Sequence, residues 1–132
     1  MCDLILAQNL QCEEHQVTTS DGYVLNQFRV RKAGTPEGAK AVFLMHGLFS
    51  ESTTWAVHGA QSLSVVLANQ GYDVWVGNNR GNVYGRRNVK SLTTDKFFDY
   101  SFYENAKYDL ITQFDFAYKN SGSKKMTYVG HS

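Results

Sequence analysis

The sequence predicts an α/β fold in which an antiparallel hairpin leads into a parallel sheet with crossover helices. Three observations predict it. Two segments of mixed polarity flank an Asp-Gly turn near the start of the chain. A continuous apolar run, Ala41 to Met45, follows them. Two helical patterns then alternate with two further short apolar runs. Strands that alternate with helices imply right-handed crossovers and parallel pairing.

The elements follow in order. Glu14 to Thr19 and Tyr23 to Val30 form the hairpin around Ser20-Asp21-Gly22, because Asp-Gly is a strong short-range turn signal. The second strand sets Val24, Asn26, Phe28 and Val30 against Tyr23, Leu25, Gln27 and Arg29. Its mixed polarity predicts a place near a sheet edge. Arg31 to Lys40 holds the only proline and reads as a surface loop. Ala41 to Met45 has no polar alternation and predicts a strand buried on both faces. Residues 49–61 are irregular, with Trp55 as an anchor.

Ser62 is placed to cap a helix running through Gln70, with Leu63, Val66 and Leu67 on its inner face and Gly71 at its end. Tyr72 to Val76 is the next strand, with Val74 and Val76 facing opposite to Trp75. Gly77 to Asn82 forms the loop after it, and residues 83–100 read as loop packed by Phe97, Phe98 and Tyr100. Ser101-Phe102-Tyr103-Glu104 is a capping box. The helix it starts has Ala106, Leu110, Phe114 and Ala117 inward, widened by Ile111 and Tyr118, and ends at Gly122. Met126 to Val129 is the last strand.

The totals exclude several function classes. The 132 residues fit one domain, and 42% hydrophobic with 14% aromatic suits a packed core. A net charge of +1 gives no electrostatic case for a nucleic-acid partner. Lys124-Lys125 and Arg86-Arg87 read as solvated surface. His15, His46, His58 and His131 are scattered, so no metal site and no cofactor is predicted. Cys2 and Cys12 form no C-x-x-C pair and read as no disulfide framework. No apolar run approaches the ~20 residues of a transmembrane segment. Leu4-Ile5-Leu6-Ala7 is too short for a signal peptide, which leaves a cytosolic protein or a targeting segment upstream. No Asn-x-Ser/Thr acceptor is present.

Three loops meet the carboxyl ends of the parallel strands: His46-Gly47-Leu48, Gly77 to Asn82, and Gly130-His131-Ser132. Ligands of open α/β sheets sit at those ends. Gly130-His131-Ser132 matches the opening of G-x-S-x-G, the strained turn that presents a nucleophilic serine. Such a serine needs backbone N–H donors for its oxyanion, one of them from the loop after the third strand. Leu48 stands there, and Gly47 lets the chain turn. The partner acid and histidine of this order follow the serine. His46, His58 and His131 read poorly as substitute bases. Asp73, Asp99, Asp109 and Asp115 read as surface or capping groups.

These residues resemble the acid lipases, the gastric and lysosomal neutral-lipid hydrolases of the α/β-hydrolase fold. The resemblance rests on Glu13-Glu14-His15, Asp21-Gly22-Tyr23-Val24-Leu25, His46-Gly47-Leu48, the run from Gly71-Tyr72-Asp73-Val74-Trp75 to Gly81-Asn82, and Arg86-Arg87-Asn88. It also rests on Ser101-Phe102-Tyr103-Glu104, Ala106 to Leu110, and Tyr128-Val129-Gly130-His131-Ser132. The run from Gly71 to Asn82 is the most specific. The match spans residues 13–132, which reads as a partial α/β-hydrolase domain truncated at the nucleophile elbow, with residues 1–12 as an N-terminal extension.

The resemblance implies Ser132 as nucleophile and the Leu48 N–H as oxyanion donor. His46, Gly47, Gly130, His131, Asn78 and Arg80 would support the site loops. It implies a triacylglycerol or sterol ester as substrate and a lysosomal or secreted setting. Met45, Phe49 and Tyr84 depart from the family's usual Gln, Leu and Trp. The family's lid, acid and histidine have no counterpart in these residues. Two functions follow as expectations: a serine hydrolase of neutral-lipid esters, of which this is an N-terminal portion, or a catalytically inactive lipase-like chain. The last strand is expected to leave an apolar edge open to self-association.

Overall fold

The computed structural model describes residues 1–132. β1 (Gln11–Thr18) and β2 (Tyr23–Arg31) form the antiparallel hairpin, with Gln11 opposite Arg31 and Thr18 opposite Val24. Thr19 closes the turn: its N–H donates to the Tyr23 carbonyl at 2.8 Å, and its hydroxyl accepts from the Tyr23 N–H at 2.9 Å. β3 (Ala41–Met45) pairs in parallel with β4 (Asp73–Val76) and with β6 (Met126–Gly130). The sheet order is β1-β2-β4-β3-β6, and a two-residue β5 (Arg87–Asn88) adds to β2. The parallel core of the fold is therefore β4-β3-β6, and its three carboxyl ends lie on one edge.

β3 is buried at every position. Its side chains alternate between two apolar layers, as a strand covered on both faces requires. Val42 and Leu44 join Phe28, Val30, Val74 and Val76 beneath α2 (Leu63–Asn69). Phe43 and Met45 join Trp75 and Ala117 on the opposite face, beneath α5 (Ile111–Ser121).

β2 does lie near the sheet edge, one strand in, between the edge strand β1 and β4. Several other expectations are corrected here. Arg29 is buried on β2 with a partner: its Nε and Nη2 donate to Asp73 Oδ1 and Oδ2 at 2.9 and 2.7 Å, whereas the buried Gln27 side chain has no partner. Asp73 is thus a core ion-pair partner, not a surface group. Ser62 holds the N-cap position of α2, but its hydroxyl accepts no backbone N–H. The inner face of α2 carries Ser64, Val65 and Ala68, while Leu63 and Val66 are exposed. Ser64 turns inward because its hydroxyl donates to the Trp55 carbonyl at 2.6 Å. The stretch 83–100 is more than loop, for it contains β5 and a short α3 (Thr94–Phe97).

The capping box forms as read. The Ser101 hydroxyl accepts from the Tyr103 N–H, and the Glu104 carboxylate accepts from the Ser101 N–H at 2.7 Å. After α4 (Phe102–Glu104), however, Asn105–Leu110 is a π-helical segment. Ala106, Ile111 and Tyr118 are exposed, while Leu110, Phe114 and Ala117 pack on the core as expected, joined by the buried Asp109, Gln113 and Ser121. Gly122 ends α5 at φ +68°, the left-handed cap that glycine adopts without strain.

Residues 1–12 pack onto the same core as the rest. α1 (Cys2–Leu6) seats Ile5 fully buried beside Leu10, and β1 already begins at Gln11. Cys2 and Cys12 form a disulfide, with Cα atoms 5.5 Å apart, which the sequence reading did not anticipate. The turn between α1 and β1 brings the two together, which spacing alone does not reveal. In the chain-entropy picture, so short a closed loop contributes roughly 2–3 kcal/mol. No helix is long and apolar enough to cross a membrane.

Candidate active site

The site stands on the carboxyl edge of β4-β3-β6. The His131 N–H donates to the Met45 carbonyl at 3.0 Å, and the Gly77 N–H donates to the Leu44 carbonyl at 3.0 Å. These bonds bring the three predicted loops together. Ser132 has φ +62°, a left-handed conformation that a serine adopts at some cost. Gly47 passes directly beside it: a Cβ on Gly47 would lie 3.1 Å from the Ser132 Cβ and 2.8 Å from the His131 Nδ1. A side chain at position 47 would thus push into the serine.

The Leu48 N–H has no acceptor within the protein, and the Leu48 side chain is 81% exposed. Phe49 follows at φ +57°, fully exposed. The Gly47 carbonyl, by contrast, is held twice. It accepts from the Ser50 N–H at 3.2 Å and lies 2.8 Å from the His46 Nδ1. The His46 Nε2 accepts from the Asn79 N–H at 3.0 Å, with the Asn82 Nδ2 at 3.2 Å. Both ring nitrogens are engaged, so His46 is not a free base.

Burial lowers the His46 pKa below its ordinary 6.5, against smaller upward pulls from the Gly47 carbonyl and Glu51. The sign follows from linkage. A depressed folded pKa contributes stability that is fully present above pH 6.5 and is lost as the pH falls through the folded value. We expect NMR titration to place the His46 midpoint below 6.5. A midpoint at or above 6.5 would contradict its buried, neutral state.

Asn78 and Arg80 fasten the Gly77 to Asn82 loop from beneath. Asn78 accepts from the Ser52 N–H at 2.8 Å and donates to the Asn26 carbonyl at 2.8 Å. Its backbone exchanges two bonds with the Gln113 amide, at 2.9 and 2.8 Å. Arg80 lies between two carboxylates, with Nη1 on Asp21 at 2.7 Å and Nη2 on Asp109 at 2.8 Å. Its guanidinium also stacks on Tyr23, 3.8 Å from the ring centroid. Burial works against the charge, but the hydrogen bonds that Arg80 donates to Asp21 and Asp109 outweigh it and raise the Arg80 pKa.

Asp109 is thus a fully buried ion-pair partner, not the surface or capping group the sequence implied. Asp21 and Gln113 were not singled out for the site either. The one available signal was the spacing of Asp109 and Gln113, one helical turn apart beside the apolar stripe. His58 and His131 are both exposed. No cluster of three or more His, Cys, Asp or Glu side chains could hold a metal ion.

A mixed sheet that carries Gly130-His131-Ser132 at the carboxyl edge of its parallel strands, facing the loop after the third strand, has the architecture of the N-terminal portion of an α/β-hydrolase. An esterase of Pyrococcus furiosus superposes over 95% of this chain and 43% of its own, with a TM-score of 0.63 at 22% identity. Residues 1–59 match the family model described as the partial alpha/beta-hydrolase lipase region. Gastric triacylglycerol lipase of Homo sapiens is 44% identical over 126 residues, 91% of this chain and 32% of that protein. Lysosomal acid lipase/cholesteryl ester hydrolase of Homo sapiens is 42% identical, with the same shares covered. Over most of its length the chain is similar to these acid lipases, and it spans about a third of their length.

Proposed function

We propose that these residues supply the nucleophile and the first oxyanion donor of a serine carboxylic-ester hydrolase acting on neutral lipids. The observation that carries the reading is the unspent Leu48 N–H in the turn that packs against Ser132. In this mechanism the Ser132 hydroxyl attacks the ester carbonyl while a base takes its proton. The oxyanion accepts from the Leu48 N–H and from the N–H of the residue after the serine. Collapse expels the alcohol, and water then releases the fatty acid. The relatives named for triacylglycerol and cholesteryl ester favour these two substrate classes. The Cys2–Cys12 disulfide fits an oxidising compartment, as on the secretory route.

The base and its acid would come from a longer chain. The test is hydrolysis of triacylglycerol and cholesteryl ester by a chain that carries these residues with the family's acid and histidine, with and without Ser132→Ala. Hydrolysis that survives the substitution would sink the assignment. A second reading, an inactive lipase-like chain, is favoured by one observation: His46, the buried histidine nearest the serine loop, has both nitrogens committed. Under it, even a longer chain that carries the family's acid and histidine hydrolyses ester no faster than its Ser132→Ala variant.

Self-association is part of the same proposal. β6 pairs with β3 on one side only, and Tyr128 is 46% exposed. An open strand edge recruits further strands. We expect light scattering of the 132-residue chain to rise with concentration, and a monodisperse monomer at all concentrations would refute this.

A further inference from the structure

We propose that His46, as its Nδ1–H tautomer, is the positioning residue that aims the Leu48 N–H at the serine. The inference rests on reading Leu48 as an oxyanion donor and goes on to ask what fixes that donor's direction. The Gly47 carbonyl and the Leu48 N–H belong to one planar peptide unit and point in opposite directions. Whatever holds the carbonyl therefore sets the N–H. Two donors are within reach of that oxygen, the Ser50 N–H at 3.2 Å and His46 Nδ1 at 2.8 Å.

The proton on His46 is assigned by its other nitrogen. Nε2 faces the Asn79 backbone N–H at 3.0 Å, which can only donate. It also faces the Asn82 side-chain nitrogen at 3.2 Å. That amide cannot be turned round without loss, because Asn82 Oδ1 accepts from the Tyr84 N–H at 2.9 Å and Nδ2 donates to Asn78 Oδ1 at 3.1 Å. Two N–H groups converge on Nε2, so Nε2 carries the lone pair and Nδ1 carries the proton. The bond to the Gly47 carbonyl is then a true N–H···O bond.

The chain of contacts runs from Asn78, through Asn82 and Asn79, to the imidazole, and from there to the peptide that bears the donor. Two amide side chains and one backbone N–H on the β4 loop thus set a backbone group on the β3 loop. The family-specific run at Gly77 to Asn82 acquires a role: it selects the tautomer. Gly47 has no side chain to interfere, and the Leu48 N–H is left without an internal acceptor.

The test needs no catalysis. A long-range proton–nitrogen correlation spectrum of the 15N-labelled 132-residue chain reads the His46 tautomer directly. We expect a protonated Nδ1 and an unprotonated Nε2 at neutral pH. An Nε2–H tautomer, or an imidazolium, would overturn the proposal whether or not any variant folds. The variants His46→Asn, His46→Gln and His46→Ala then separate positioning from packing. An asparagine amide can donate from near the Nδ1 position, whereas a glutamine amide reaches toward Nε2.

Positioning predicts that the Leu48 amide resonance stays near its wild-type place in His46→Asn and shifts in His46→Gln and His46→Ala. A packing role would rank the variants by volume, with Gln nearest to wild type, and that order would overturn the proposal. The ester assay with Ser132→Ala decides the catalytic reading separately. Hydrolysis independent of Ser132 with the Asn-over-Gln order intact would remove the oxyanion role and leave the coupling of His46 to Leu48 standing.

Discussion

Asp109→Ala is expected to destabilise the fold by about 3–5 kcal/mol, the range for breaking a buried ion pair from one side. Asp109 is fully buried, and the Arg80 side chain that it holds is 1% exposed. The Arg80 N–H also donates to Asp109, at 2.9 Å, so the substitution orphans a backbone donor as well as a charge. Asp21 remains as the second partner of Arg80, which places the effect toward the lower end of the range. Denaturant unfolding of the two proteins measures it, and a loss under about 1 kcal/mol would mean that Asp21 and Tyr23 suffice. The same change should reach the site. Arg80 anchors the loop that presents the Asn79 N–H to His46. Faster amide exchange at Asn79 in the variant is the local signature, and unchanged exchange there would separate the clasp from the site.

Ser132→Ala is expected to lower ester hydrolysis by about 10⁶-fold in a chain that has its acid and histidine, the scale on which loss of a serine nucleophile is measured. That corresponds to about 8 kcal/mol of transition-state stabilisation. The magnitude reflects a group that acts as a unit with its base, so a partial effect is not expected. A fall of only about tenfold would assign Ser132 a binding role and move the nucleophile elsewhere. In the 132-residue chain alone the same substitution should change nothing, because no side chain hydrogen-bonds the Ser132 hydroxyl and the buried His46 is committed elsewhere. Both outcomes come from one assay, and the contrast between them carries the interpretation.

Much of the fold is legible in the sequence because it depends on neighbours along the chain. Asp21-Gly22 sets the hairpin turn, Ser101 and Glu104 cap each other, and Gly122 ends the last helix. Ala41 to Met45 declares a strand covered on both faces, which the structure shows at every one of its positions. The serine turn and the His-Gly-Leu turn are local patterns as well. Their convergence follows from topology, since parallel strands put their carboxyl ends on one edge.

Other features required partners that the local pattern does not name. Arg80 finds Asp21 and Asp109 at separations of 59 and 29 residues, and Arg29 finds Asp73 at a separation of 44. An aspartate that looks fit for the surface is buried once a guanidinium meets it there. The π-helical turn at Asn105–Leu110 accompanies an inward face that keeps Leu110, Phe114 and Ala117 but adds Asp109, Gln113 and Ser121, which an apolar period does not foresee. Cys2 met Cys12 because α1 folds back on β1.

The sequence by itself determined the order of the main strands and helices, the elbow-like turn at Ser132 and the likeness to lipases, since these rest on period, turn chemistry and short runs. Only the tertiary structure decided which polar groups are buried, which helix face turns inward, and that His46 holds the peptide carrying the Leu48 N–H. Burial and hydrogen-bond partnership are properties of residues brought together from distant parts of the chain.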